Sequence, residues 1–306
     1  MSNLSNPIFH DEAKAREWLQ ARVWPEGPVC PHCGVVDQAT LMKGKSHRPG
    51  LYQCNACREP FTVTVGTLYE RSKVPLCKWL AVTHLMMASK KGMSALQISR
   101  MIGLSYKTTW FLCHRIRESL RDTSAGPLGG QNRVVEMDES YVGGKAKNRA
   151  HREPAPKKAV FSLIEREGHV RSFHVANVTS KTLGPIMEAN VAKATAVMTD
   201  ESMVYPKLAS AFASHSTVNH SANEYARLSG FIHVNTAENF FSILKRGITG
   251  SYHHVSEAHL HRYLGEFDYR YNTRQLRDFE RFEASIPGIV GKRLTYRRPD
   301  QAQLQA

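Results

Sequence analysis

Val134-Val-Glu-Met-Asp-Glu-Ser-Tyr141 is the stretch on which the reading of this chain turns. It reads as a β-strand, with side chains pointing alternately to opposite faces. Glu136, Asp138 and Ser140 fall on one face, and Val135, Met137 and Glu139 on the other. Downstream, Ala159-Val-Phe-Ser-Leu-Ile164 and Val170-Arg-Ser-Phe-His-Val175 read as two more strands, joined as an antiparallel hairpin through Glu165-Arg-Glu-Gly-His169. Residues 180–192 look helical with Ser180 as cap. Ala196-Val-Met-Thr-Asp200 is a short strand ending in a second aspartate. Residues 202–213 read as a helix and Ser216-Thr-Val-Asn219 as a last strand.

Thr236-Ala-Glu-Asn-Phe-Phe-Ser-Ile-Leu-Lys-Arg246 then reads as a helix with Phe240, Phe241, Ile243 and Leu244 toward the core. Glu238 and Lys245 stand seven residues apart, two helical turns, and share a face. The order is three strands, helix, strand, helix, strand, helix. This is an α/β pattern matching an RNase H-like mixed sheet flanked by helices. In that fold Asp138 lies on the central first strand and Asp200 at the end of its neighbour, so their carboxylates are expected to converge with Glu238. Hard divalent cations prefer carboxylate oxygens. Two Mg²⁺ ions about 3.5–4 Å apart serve phosphodiester chemistry by activating a nucleophile and neutralising a leaving oxygen. Spacing alone does not single out this trio, because Glu136, Glu139 and Glu201 lie beside it.

The rest of the chain points to nucleic acid. Its 306 residues hold 41 Lys+Arg against 27 Asp+Glu, a formal charge of +14. That excess favours a polyanion, DNA or RNA first and an anionic membrane surface second. No apolar run is long enough to span a bilayer, and the N-terminus lacks a signal-peptide pattern, so a cytoplasmic protein is expected. Six cysteines in that compartment argue for thiols or metal ligands.

Cys30-Pro-His-Cys33 and Cys54-Asn-Ala-Cys57 are two knuckles separated by twenty residues. Such spacing brings four thiolates onto one structural Zn²⁺ in a zinc ribbon. Tyr52-Gln53 and Phe61-Thr-Val-Thr-Val65 supply its strands. A helix is expected over 11–24, with Asp11 and Glu12 at its N-terminal end, and an amphipathic helix over 75–91 opening at Pro75. Leu96, Ile98, Met101 and Ile102 fit a short helix, Gly103 and Leu104 a turn, and Ser105 the cap of a second helix. That is helix-turn-helix spacing. Tyr106, Lys107, Thr108 and Thr109 stand where a recognition helix meets DNA, with Arg115 and Arg117 extending the basic surface; a plain helical hairpin is the competing reading. Lys145-Ala-Lys-Asn-Arg-Ala-His-Arg-Glu-Pro-Ala-Pro-Lys-Lys158 is a basic loop suited to a DNA backbone or to solvent. Residues 257–272 form a helix, and a polar, basic, mobile tail is expected from Gly288. The expected domains are 1–68 (helix and ribbon), 69–123 (helix-turn-helix), 124–285 (catalytic) and 286–306 (tail), with a small-residue linker at 123–130.

The two cysteine knuckles, Val135-Glu-Met-Asp-Glu-Ser-Tyr-Val-Gly-Gly-Lys145, Thr199-Asp-Glu201 and Asn235-Thr-Ala-Glu-Asn-Phe-Phe-Ser-Ile-Leu-Lys-Arg-Gly247 carry a resemblance, joined by Tyr252-His-His-Val-Ser256 and Arg270-Tyr-Asn272. Over about residues 20–275 the chain resembles bacterial insertion-sequence transposases that pair a zinc ribbon with a DDE-type catalytic domain, the ISXO-two-like group. The resemblance implies Mg²⁺-dependent cleavage at the element's terminal inverted repeats and joining of the freed 3′-OH to target DNA, usually by a homo-oligomer on paired ends. It implies metal binding by Asp138 and Asp200, with Glu238 completing the set, and a DNA contact by Lys245 near the scissile phosphate. The group carries Asn as well as Glu at its third position, and Asn239 adjoins Glu238. The carboxylate is preferred because it suits Mg²⁺ and shares its face with Lys245. A DNA-binding protein with an inactive catalytic domain, or a structure-selective nuclease of the same fold, are the alternatives.

Overall fold

The computed structural model describes residues 3–121, 126–143, 156–219, 221, 224 and 226–295. The basic loop over 144–155, residues 122–125 of the linker and the tail over 296–306 lie outside the described residues. The chain divides into two compact units, Met1–Arg121 with Leu276–Ala306, and Asp122–Gln275.

The first unit opens with α1 (Glu12–Val23). The Asp11 carboxylate accepts the Ala13 N–H at 2.8 Å and the Lys14 N–H at 3.1 Å, satisfying two orphan donors of the first turn. Three short strands follow, β1 (Ala39–Leu41), β2 (Tyr52–Cys54) and β3 (Pro60–Phe61), forming an antiparallel sheet in that order. The strand expected over 61–65 stops at Phe61. Val65 and Thr67 donate to the carbonyls of Thr62 and Thr64, closing turns instead of a ladder. β1 carried no alternation by which the sequence could reveal it.

α2 (Leu76–Ala88) is buried along nearly its whole length. Its cap residue, Pro75, makes no side-chain bond. Glu12 takes over that role from α1, accepting the N–H groups of Leu76 at 2.9 Å and Cys77 at 3.0 Å. α3 (Ala95–Ile102) and α4 (Tyr106–Ser119) are the expected pair, capped by Ser94 and Ser105. Gly103 between them sits at φ +67°, a left-handed conformation that closes the α3 C-terminus.

The surface proposed for α4 is smaller than its sequence suggests. Tyr106 and Lys107 are exposed, and Thr108 is half-buried with its hydroxyl bonded to that of Ser105. Thr109 is wholly buried and donates to the Ser105 carbonyl at 3.0 Å. Arg115 and Arg117 are also buried. The Arg115 guanidinium donates to the Glu70 carbonyl at 3.0 Å and lies 5.0 Å from the Trp79 ring centroid. These three side chains are therefore part of the packing, not a DNA-facing surface, because α4 is covered on more than one side.

The C-terminal segment belongs to this unit, although the sequence assigned 278–285 to the catalytic domain and read the residues from Gly288 as mobile. α9 (Asp278–Ser285, the last helix in chain order) brings Phe282 into a stack on Trp18 with centroids 5.0 Å apart. Arg281 donates to a carbonyl in the last turn of α2, that of Met87, at 2.9 Å. Beyond it, Gly288 lies where a Cβ would come within 2.4 Å of the Ser119 carbonyl oxygen. Lys292 Nζ donates to the Glu118, Ser119 and Arg121 carbonyls at the end of α4. The lysine is spent on a helix C-terminus rather than presented to a partner.

The second unit is a five-stranded mixed sheet in the order β6-β5-β4-β7-β8. Its strands are β4 (Val134–Val142), β5 (Lys158–Glu165), β6 (Val170–Val175), β7 (Ala196–Thr199) and β8 (Ser214–Thr217). β4–β5 and β5–β6 are antiparallel, while β4–β7 and β7–β8 are parallel. This is the RNase H-like arrangement expected. One face packs Val135, Met137, Phe161 and Leu163 against α5 (Ser180–Asn190) and α6 (Tyr205–Ala209). The other packs Val142, Val160 and Ile164 against α7 (Asn235–Gly247) and α8 (Glu257–Asn272). α6 is shorter than the expected 202–213: turns bring Ala211 and Phe212 back to Leu208 and Ala209, so β8 starts two residues early.

β6 is one edge of the sheet, and α8 covers it. Asn272 pairs with both the N–H and the carbonyl of Val170, at 2.7 and 3.1 Å, and Asp268 accepts the Ser172 N–H at 2.8 Å. Backbone groups that would otherwise template another strand are thus satisfied by side chains. Burial pushes the Asp268 carboxyl up to about 7, opposed by its bonds to Ser172. The folded state therefore holds more protons than the unfolded chain between about pH 4 and 7, and this group's contribution falls as pH rises through that window. Asp268→Asn is expected to flatten the decline in melting temperature from pH 5 to pH 8. An unchanged slope would show that Asp268 does not titrate there.

Candidate catalytic and metal sites

The ribbon brings its four cysteines together. Cys30 Sγ lies 3.7 Å from Cys57 Sγ, and Cys33 Sγ 3.6 Å from Cys54 Sγ. All four ligand atoms fall within 4.8 Å of one another. A tetrahedral ion with metal–sulfur bonds of about 2.3 Å requires sulfur–sulfur separations of about 3.8 Å, so the cluster fits Zn²⁺. The knuckles are folded for it locally: Gly34 donates to the Cys30 carbonyl, Arg58 to the Cys54 carbonyl, and the Cys57 N–H points at Cys54 Sγ at 3.5 Å. Trp24, Tyr52 and Phe61 pack edge-on and stacked beside it.

Two of the acids follow from strands that are paired in register. β4 pairs with β7 as Val134↔Ala196, Val135↔Val197 and Glu136↔Met198, an offset of 62 (196 − 134). The members of the last of these pairs, Glu136 and Met198, each stand two residues before an acid, Asp138 and Asp200. Asp200 lies just past the end of β7, where its carboxylate accepts the Ser202 N–H at 3.1 Å. Asp138 accepts the Glu139 N–H at 2.8 Å. Glu238 stands in the first turn of α7, exposed, with Lys245 exposed in the last turn. Asn239 is exposed beside Glu238.

Electrostatics tie the set together. Burial, then the charges of Glu139, Asp200 and Glu238, push the Asp138 carboxyl up to about 7. Three acids act on Asp138, an arrangement that a divalent cation relieves. Asp138, Asp200 and Glu238 do not gather as tightly as the cysteines, which form the one such group within 4.8 Å among the described residues.

Over residues 127–272 the chain matches the ISXO2-like transposase domain, and over residues 10–59 the transposase zinc-ribbon domain. It is 28% identical over 282 residues to an uncharacterized protein in transposable element ISH50 of Halobacterium salinarum, covering 86% of this chain and 91% of that one. The chain carries a transposase domain behind a transposase zinc ribbon. The acids in question all lie within the matched transposase domain.

Of the acids competing with the trio, the fold commits each to another bond. Glu139 points to the α6 face, where the Tyr205 hydroxyl donates to it. Burial raises the carboxyl of Glu139 and the phenol of Tyr205. Glu201 accepts from the N–H and hydroxyl of Ser221 at 3.1 and 2.6 Å. Glu136 is fully buried and accepts from several donors. Tyr205 and Arg166 gave no sequence signal: each meets its partner only through the fold. No helix among the described residues is long and apolar enough to cross a membrane.

Proposed function

We propose that the chain is a metal-dependent DNA transposase that cuts the ends of its element and joins them to target DNA. Asp138, Asp200 and Glu238 hold two Mg²⁺ ions. When bound, these ions activate the attacking hydroxyl and neutralise charge on the scissile phosphate and the leaving 3′ oxygen. The carboxylates would supply the oxygens the ions need, two of them from positions two residues beyond the last β4–β7 pair. Cleavage forms a bond from water oxygen to phosphorus and breaks the bond to the 3′ oxygen. In joining, the freed 3′-OH attacks a target phosphodiester and releases a target 3′-OH. Lys245, on the Glu238 face of α7, contacts the phosphate backbone near this centre. Tyr106, Lys107 and Thr108 at the start of α4, together with the zinc ribbon, bind the terminal inverted repeats, and a homo-oligomer brings two ends together.

The observation that supports this reading most is electrostatic: the charges of Asp200 and Glu238 act on Asp138, while β4 and β7 pair two residues before the two aspartates. The test is incubation of purified protein with Mg²⁺, duplexes ending in the element's inverted repeat, and a target plasmid. Repeat-dependent 3′ cleavage and a joined product are expected. Cleavage of branched DNA without repeats or joining would mark a structure-selective nuclease. Repeat binding with no turnover would mark a DNA-binding protein with an inactive domain.

A further inference from the structure

A buried latch lies one step beneath the acid trio. Glu136, Met198 and Thr236 each precede one of the acids by two residues: Asp138, Asp200 and Glu238. On a strand, residues two apart face the same way, so Glu136 is next below Asp138 on its face of β4. Glu136 and Met198 are register partners. The Glu136 carboxylate accepts the Thr236 N–H at 2.8 Å, the Ala237 N–H at 3.0 Å and the Thr236 hydroxyl at 2.9 Å. It also accepts Arg166 Nε at 2.6 Å, and His233 Nδ1 lies 3.1 Å away. Arg166 extends from just past the end of β5. Its guanidinium donates to the Phe231 and His233 carbonyls at 2.6 and 2.8 Å and touches Met198 Sδ at 2.9 Å.

The need for this latch is legible in α7 itself. The cap residue of α7, Val234, has no side chain able to bond the first-turn N–H groups. A carboxylate on another strand does so instead, at the positive end of the helix. The helix that carries Glu238 is thereby fastened to the strand that carries Asp138, and the segment leading into the helix to Met198 on the strand that leads to Asp200. A fully buried carboxylate with this many donors is an expensive feature if all it supplies is stability, since apolar replacements often serve as well.

We infer that Glu136, with Arg166, is a positioning residue: it sets the placement of Glu238 relative to Asp138 and Asp200, and through it the divalent-cation site. The inference rests on the catalytic reading of those three acids. Groups that orient metal ligands typically change metal affinity or activity by about 10–100-fold when altered.

The test uses full-length Glu136→Gln and the milder Thr236→Val, which removes only the hydroxyl bond. Free Mn²⁺ is followed by electron paramagnetic resonance without DNA, alongside repeat binding in EDTA and Mg²⁺-dependent cleavage. Glu136→Gln is expected to weaken Mn²⁺ binding about 10–100-fold and to raise the Mg²⁺ needed for cleavage, with repeat binding unchanged. Thr236→Val should shift both in the same direction by a smaller factor. If Glu136→Gln does not fold, Thr236→Val carries the test alone. Wild-type Mn²⁺ affinity in a folded variant overturns the inference. So does a loss of binding and cleavage in proportion, with unchanged metal dependence, which is the signature of a structural role. Asp138→Asn is the control: if it too binds Mn²⁺ and cleaves as the wild type does, the catalytic reading has failed, whereas its failure beside a normal Glu136→Gln defeats the latch alone.

Discussion

Asp138→Asn should abolish repeat-end cleavage and strand transfer, by about a thousandfold or more, while repeat binding persists. The size follows from the several kcal/mol of charge stabilisation that a catalytic metal provides, at about 1.4 kcal/mol per factor of ten. The same substitution should make the metal-free protein more stable at alkaline pH. The Asp138 carboxyl is raised from 3.8 to about 7 by burial and by Glu139, Asp200 and Glu238. Between those values the folded state binds more protons than the unfolded chain, so the wild type loses stability as pH rises through the window. Asparagine carries no charge and escapes that loss. Melting curves at pH 5.5 and 8, with and without Mg²⁺, check both signs: Mg²⁺ should raise the wild-type midpoint at pH 8 more than that of the variant. A variant that still cleaves, or that melts with the wild type's full pH dependence, would remove Asp138 from the site.

Removing zinc should have the largest effect on folding. The ribbon's strands are two or three residues long, and its apolar packing rests on Trp24, Tyr52 and Phe61. So small a module cannot bury enough surface to order itself, and apparent zinc-binding energies of about 10–16 kcal/mol in related peptides are in effect its folding energy. Cys54→Ser, or a strong chelator, is therefore expected to abolish hydrogen-exchange protection across residues 29–61, leaving the strands of the second unit protected. Repeat binding should weaken as well. Protection of the ribbon retained without metal would mean that its packing alone suffices.

The five-stranded sheet was legible because its signals are local. Alternation over 134–141, strand-like runs over 159–164 and 170–175, and the chain order of strands and helices suffice for an RNase H-like sheet. The cysteine knuckles and the Gly103–Ser105 turn are likewise short-range patterns. What stayed hidden depends on three-dimensional packing. Arg115 and Thr109 look like DNA-contacting residues, yet α4 is buried around most of its circumference. The segment after residue 276 is polar in sequence, yet Phe282 and Lys292 dock it against α1 and α4. Glu136 competes on paper with Asp138 as a metal ligand. Only the fold supplies Arg166 and the first turn of α7 to satisfy it.

The most direct measurement is anomalous diffraction from crystals of the protein soaked in Mn²⁺. Density is expected between β4, the end of β7 and the first turn of α7, with oxygens of Asp138, Asp200 and Glu238 all within about 2.0–2.3 Å of an ion, the range for hard divalent cations. Ions bound elsewhere, or held at this position without one of those three carboxylates, would contradict the proposed site.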